Sequence, residues 1–103
     1  MNTIKVEHCD TMDDVRRHID ALDARIVPLI AERSTYVAQA ARIKKNANQV
    51  YDQARIDFII ARVRAQARAA GTPEAIVEAA YRAMIAASID FEHGEFNRLR
   101  QEA

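Results

Sequence analysis

From residue 12 to residue 45 the chain contains no glycine, and apolar side chains recur on one helical face throughout. Val15, Ile19, Leu22, Ile26 and Leu29 follow one another by threes and fours, with Ile30 alongside. The same spacing continues through Val37 and Ala40. Such a repeat marks the buried face of an amphipathic helix. Thr11 is placed to cap its start, and Asp13 and Asp14 sit favourably against the positive end of the helix dipole. Pro28 stands against an uninterrupted helix, because an interior proline removes a backbone hydrogen bond and costs about 3 kcal/mol. The apolar register crosses Pro28 without slipping, so a kink is expected there and not a break.

A helix over residues 12–45 spans about 50 Å at ~1.5 Å per residue. The whole chain has 103 residues, enough for one domain. A compact domain of that size has a radius of gyration of only about 13 Å. One copy therefore cannot cover the stripe of its own first helix. A second copy can, and a two-fold homodimer is the commonest arrangement. A monomeric three-helix bundle would require a true break at Pro28.

The remainder also reads as helix, with only two Gly and two Pro in the chain to interrupt it. The pattern lapses over Asn46-Ala47-Asn48-Gln49-Val50-Tyr51, a loop. Asp52 can cap a second helix carrying Ile56, Ile59, Ile60 and Val63, and Gly71 suits its end. Thr72-Pro73-Glu74 reads as cap, first-turn proline and first-turn acid of a third helix. That helix runs on Ile76, Val77, Ala80, Tyr81, Met84, Ile85, Ser88 and Ile89, and past Phe96. The expected architecture is all-α, with three helices per chain, the first very long. A tail over residues 1–11 precedes a helical domain over residues 12–100.

Composition narrows the function. Fifteen basic and fifteen acidic side chains give a formal net charge of zero, so no whole-protein field recruits nucleic acid or an anionic membrane. Any anion site has to be a local cluster. Cys9 is the single cysteine, which excludes an intrachain disulfide and a Cys-rich metal site. His8, His18 and His93 have no metal-ligand spacing, Ser34 and Ser88 lack the partners of a nucleophilic triad, and there is no Gly-rich phosphate loop. No metal and no cofactor are expected. Tyr36, Tyr51, Tyr81, Phe58, Phe91 and Phe96 read as packing residues. The first residues lack an apolar core of signal-peptide length, and no segment approaches about 18 apolar residues, so a soluble, cytoplasmic protein is expected.

Two cations fall where the seam should be apolar. Counting on from Leu29 by threes and fours gives Arg33, then Val37, Ala40 and Lys44. In the third helix the stripe Val77, Tyr81, Met84 continues onto Ser88 and Glu92. Each has an ordinary explanation by itself: an ion pair for Arg33, the helix dipole for Lys44, packing for Ser88, solvent for Glu92. Arg16 and Arg55 are of a kind routine on exposed helix faces. The coincidence matters more, because buried charge is costly unless it is paired or meets a ligand. Cations gathered in a pocket would supply the local anion site that net charge does not.

These residues are also where the chain resembles the all-α chorismate mutase family. Val15-Arg16-Arg17-His18-Ile19-Asp20-Ala21-Leu22-Asp23 is similar to its opening motif, an Arg followed by Ile, Leu and Asp at those offsets. Leu29-Ile30-Ala31-Glu32-Arg33 resembles its Leu-x-Glu-Arg step, and Lys44 stands where the family has its active-site lysine. Asp52-Gln53-Ala54-Arg55 resembles the Asp-x-x-Arg opening the second helix, and Ser88 and Glu92 match the Ser and the Gln-or-Glu of the third. The resemblance covers residues 12 to about 96. It implies an intertwined antiparallel homodimer that rearranges chorismate, a small dianion, to prephenate without a cofactor. In that reading Arg16 reaches into the site of the other protomer. Spacing agrees, since Arg16 and Lys44 lie about 42 Å apart along one straight helix. Arg16 and Arg33 would hold the substrate carboxylates, with Asp52, Arg55 and Ser88 in support. Lys44 and Glu92 would flank the ether oxygen of the breaking bond. Glu92 could donate to that oxygen only as a neutral acid, so activity is expected to fall as pH rises.

One position departs from the pattern. Many of these mutases carry a Glu after Asp-x-x-Arg that meets the ring hydroxyl, and here that place is Ile56. Isochorismate-pyruvate lyase, a relative with the same fold, also lacks that Glu and makes salicylate and pyruvate. Ser88 and Glu92 resemble the mutases more. A third alternative is a catalytically silent helical dimer that binds a metabolite or a partner protein.

Overall fold

The computed structural model describes residues 5–102, and these form three α-helices, α1 (Met12–Ile43), α2 (Gln53–Ala70) and α3 (Glu74–Glu102). Thr11 caps α1, its hydroxyl accepting from the Asp14 backbone N–H at 3.1 Å. α1 runs unbroken through Pro28. The break that a monomeric bundle would need is therefore absent from this helix.

The end of α1 falls slightly earlier than its periodicity suggests. Lys44 is the C-terminal cap, in extended conformation, with its N–H donating to the Ala40 carbonyl at 2.9 Å. The cause is local. Gln49 sits in a single 3-10 turn (Ala47–Gln49), and its Oε1 accepts from the backbone N–H groups of Lys45 at 2.8 Å and Asn46 at 3.2 Å. Those donors are thereby tied to the loop rather than to another helical turn.

Asp52 caps α2 by accepting from the Arg55 N–H at 3.0 Å. Gly71 ends α2 with φ of 77°, a left-handed conformation that a Cβ would strain. α3 begins at Glu74, one residue after Pro73, and continues to Glu102. Across the turn, Arg64 and Arg68 of α2 reach Glu74, each with a 3.1 Å contact, and Arg64 also pairs with Glu78.

Helix α3 is the common partner, packing against α1 along one side and α2 along another. Its buried residues are Ile85, Glu92 and Phe96; those of α2 are Ile60, Val63 and Ala67. From α1 only Ala41 is buried, in a cluster with Val50 and Phe96 against which Ile89 packs. The rest of its stripe lies open: Ile19, Leu22 and Ile26 are about half exposed, and Leu29 is 63% exposed. The molecule is long, 57 Å in its greatest extent, with a radius of gyration of 17.3 Å.

The aromatic residues correct a sequence expectation. Phe96 is buried, but Tyr36, Tyr51, Phe58 and Phe91 are exposed in the single chain, so most of them do not pack within it. Phe58 is instead flanked by the guanidinium groups of Arg55 and Arg62, at 5.3 and 6.0 Å from its ring centre. Among the described residues, no helix is long and apolar enough to cross a membrane.

Candidate active site

Where the C-terminal half of α1 meets α3, the helices leave a cavity of about 440 Å³ closed on its third side by α2. That volume lies within the range of roughly 300–1,000 Å³ usual for small-ligand pockets. Arg33 and Lys44 enter it from α1 and its cap, Asp52 and Arg55 from the start of α2, and Ser88 and Glu92 from α3. Helical spacing explains the grouping. Arg33, Val37 and Ala40 lie on one face of α1, and Ile85, Ser88, Ile89 and Glu92 on one face of α3.

Glu92 is the buried charge of the site, with its side chain 9% exposed. Lys44 compensates it: Nζ donates to Glu92 Oε2 at 2.6 Å, the separation of a charge-assisted hydrogen bond. Arg33 donates from Nη1 to the Ser88 hydroxyl at 3.3 Å. The Arg55 guanidinium faces the Phe58 ring. Both arginines thus engage neutral partners, which hold the groups without cancelling their charge. Asp52 lines the cavity, and its Oδ1 caps α2 by accepting from the Arg55 backbone N–H. The rest of the lining is largely hydrocarbon, including Val37, Val50, Ile56, Ile59, Ile85 and Ile89. Cations set among hydrocarbon suit a compact organic anion better than a bare inorganic one.

Arg16 is not part of this cavity. It is exposed near the start of α1, about 25 Å along the helix axis from Arg33. Ile56 does line the cavity, at the place the expected Glu would occupy.

Residues 15–93 match the sequence profile of type II chorismate mutases. The chain belongs to that family. The matched stretch takes in every one of the cavity residues named above, and Arg16 besides. A comparison with curated proteins finds no match. The type II chorismate mutase match stops short of the last turns of α3, which lie beyond residue 93.

Sequence reasoning missed two contributors. Tyr36 lines the cavity one residue away from Val37, off the counted stripe. Arg100 lies outside the cavity lining but grips the end of α1: Nη1 donates to the Ala41 carbonyl at 2.9 Å, and Nη2 donates to the Lys44 carbonyl. Counting on from Glu92 by fours gives Phe96 and then Arg100, but the spacing alone does not show what Arg100 meets.

Proposed function

We propose that the protein is a chorismate mutase, an isomerase converting chorismate to prephenate in a concerted step. The observation that carries this reading is the Lys44–Glu92 pair set beside Arg33 on one largely apolar cavity. The reaction needs no nucleophile. The ether C–O bond breaks as the new C–C bond forms, and negative charge grows on the ether oxygen. Lys44 Nζ stabilises that oxygen, and Glu92 flanks it, donating to it when protonated. Arg33, supported by Ser88, holds a carboxylate, and Arg55 helps to keep the substrate compact. Selection of that conformer removes part of the entropic barrier.

The site is completed by a second copy of the chain in an antiparallel, intertwined dimer. Support comes from the open stripe Ile19, Leu22, Ile26 and Leu29, since fully burying each such side chain is worth roughly 1.5–3 kcal/mol. Arg16 of the second copy supplies the remaining guanidinium to the substrate.

A second reading, isochorismate-pyruvate lyase, is favoured by one observation, the hydrocarbon of Ile56 in the wall where a ring hydroxyl would seek a carboxylate. A paired assay with chorismate and isochorismate separates the two. Prephenate as the dominant product, lost in Arg33→Ala and Lys44→Ala, supports the mutase. Salicylate and pyruvate formed at the higher efficiency support the lyase, and turnover of neither substrate by a folded dimer sinks both.

A further inference from the structure

We infer that Arg100 is a positioning residue for Lys44, holding the backbone from which the lysine reaches into the cavity. The last carbonyls of an α-helix have no partner within it. At the end of α1 two carbonyls that bracket the exit, those of Ala41 and Lys44, are both taken by the Arg100 guanidinium. Lys44 has left the helix, with φ −62° and ψ 143°. A hydrogen bond to its own carbonyl restrains the peptide plane after it, and with that the direction of its side chain. The guanidinium is itself held, lying 3.8 Å from the centre of the Phe96 ring, which is buried against Ala41 and Val50.

Glu92, Phe96 and Arg100 stand four residues apart, so they form one ridge of α3. Along that ridge Glu92 takes the Lys44 ammonium, Phe96 packs on the last turn of α1, and Arg100 takes the backbone. Lysine has a long, flexible stem, and a reacting group displaced by about 1 Å can lose on the order of 100-fold in rate. Fixing both ends of Lys44 counters that freedom. Arginine suits the task because its planar fork presents donors to two carbonyls in a fixed geometry, whereas an ammonium offers rotatable donors from a single nitrogen.

The kinetic consequence rests on the mutase reading, whereas the mobility of Lys44 does not, so both are measured on Arg100→Ala and Arg100→Lys. Arg98→Ala serves as the control, because Arg98 pairs with Glu95 and Glu102 on its own helix. The first readout is the acylation rate of Lys44 by a limiting amine-reactive ester, followed by mass spectrometry with Lys45 as internal reference. The second is kcat and KM for chorismate. In Arg100→Ala, Lys44 is expected to acylate several-fold faster relative to Lys45. Its kcat should fall on the order of 10- to 100-fold, with KM moving less. Arg100→Lys keeps the charge at the end of α1 and should restore neither readout in full. Arg98→Ala should match the wild type in both. Unchanged acylation of Lys44 overturns the proposal, whatever happens to kcat. Full recovery in Arg100→Lys overturns it too, since the guanidinium fork would then be dispensable, and so does faster acylation with unchanged kcat. Should the wild type turn over no chorismate while Arg100→Ala still frees Lys44, the mutase reading fails and the positioning of Lys44 by Arg100 stands.

Discussion

Lys44 Nζ and Glu92 Oε2 lie 2.6 Å apart at the junction of α1 and α3, and Glu92 is the most deeply buried charged side chain of the described residues. Neither group is in place for stability alone. A buried ion pair contributes little compared with hydrocarbon of the same volume, while an unpaired buried carboxylate is costly. The pair borders a cavity, which gives a ligand access to both members. A substrate oxygen placed there could accept from the Lys44 ammonium in its turn.

The first prediction concerns the donors of that pair. If Glu92 donates to the ether oxygen, Glu92→Gln keeps a donor there and should retain activity, whereas Glu92→Ala removes it and should lose kcat on the order of 10²–10³-fold. Lys44→Ala should lower kcat on the order of 10²–10³-fold, the usual loss for a donor aimed at developing charge. Full activity in Glu92→Ala would remove Glu92 from the role.

Arg16 and Arg33 allow a test of site sharing by mixing. Arg16→Ala and Arg33→Ala are each expected to be nearly inactive as homodimers. In a mixed dimer, one of the two sites combines the intact Arg33 of one copy with the intact Arg16 of the other. Refolding the variants together at equal concentration should therefore recover about one quarter of wild-type activity, because half the dimers are mixed and each has one intact site. Recovery absent from mixed dimers, isolated by a different affinity tag on each variant, would mean that Arg16 does not cross to the neighbouring site.

The helices and the site residues were legible in the chain to different degrees, for physical reasons. α1 was readable because its stripe repeats without glycine and Thr11 makes the cap its position suggests. Asp52 was readable as a cap for the same reason, since capping is local chemistry. Lys44 as the cap of α1 was not, because the helix ends through Gln49, which closes back on Lys45 and Asn46 from beyond the apolar pattern. Periodicity also cannot separate a face covered within the chain from one left to a second copy. Ile19 and Ile85 fit equally good stripes, yet Ile85 is buried and Ile19 is half exposed. Arg100 was hidden for a third reason. Its role depends on where the far end of α3 meets the end of α1, a relation between residues 56 positions apart.

Acid should loosen the α2–α3 turn. Hydrogen bonding to Arg68, with help from Arg64, holds the Glu74 carboxyl below the usual carboxylate range, and Arg82 and Arg64 do the same for Glu78. A group whose folded pKa is depressed stabilises the fold above its unfolded value and loses that contribution as pH falls through the folded one. The thermal midpoint should therefore decline from about pH 5 downward, and less steeply in Glu78→Gln. Salt should shrink the difference, since these pairs are largely exposed to solvent. Parallel curves for the variant and the wild type would show that this network does not govern acid stability.

Pro28 should set stability against activity. It sits inside α1, where its ring displaces the bond to the Ala24 carbonyl. Pro28→Ala restores that bond and should raise stability by up to about 3 kcal/mol, read as a higher thermal midpoint. The same residue lies between Arg16 and the cavity residue Arg33 on one helix. From Pro28 to Arg16 the helix extends about 18 Å, so a change of only about 20° in its direction at Pro28 would swing Arg16 by about 6 Å. No hydrogen bond to a substrate carboxylate tolerates that shift. The variant should thus melt later and turn over chorismate on the order of 10- to 100-fold less efficiently, with the loss shown mainly in KM if Arg16 binds a carboxylate in ground and transition states alike. A higher midpoint with unchanged kcat/KM would mean that the course of α1 through Pro28 does not set the reach of Arg16.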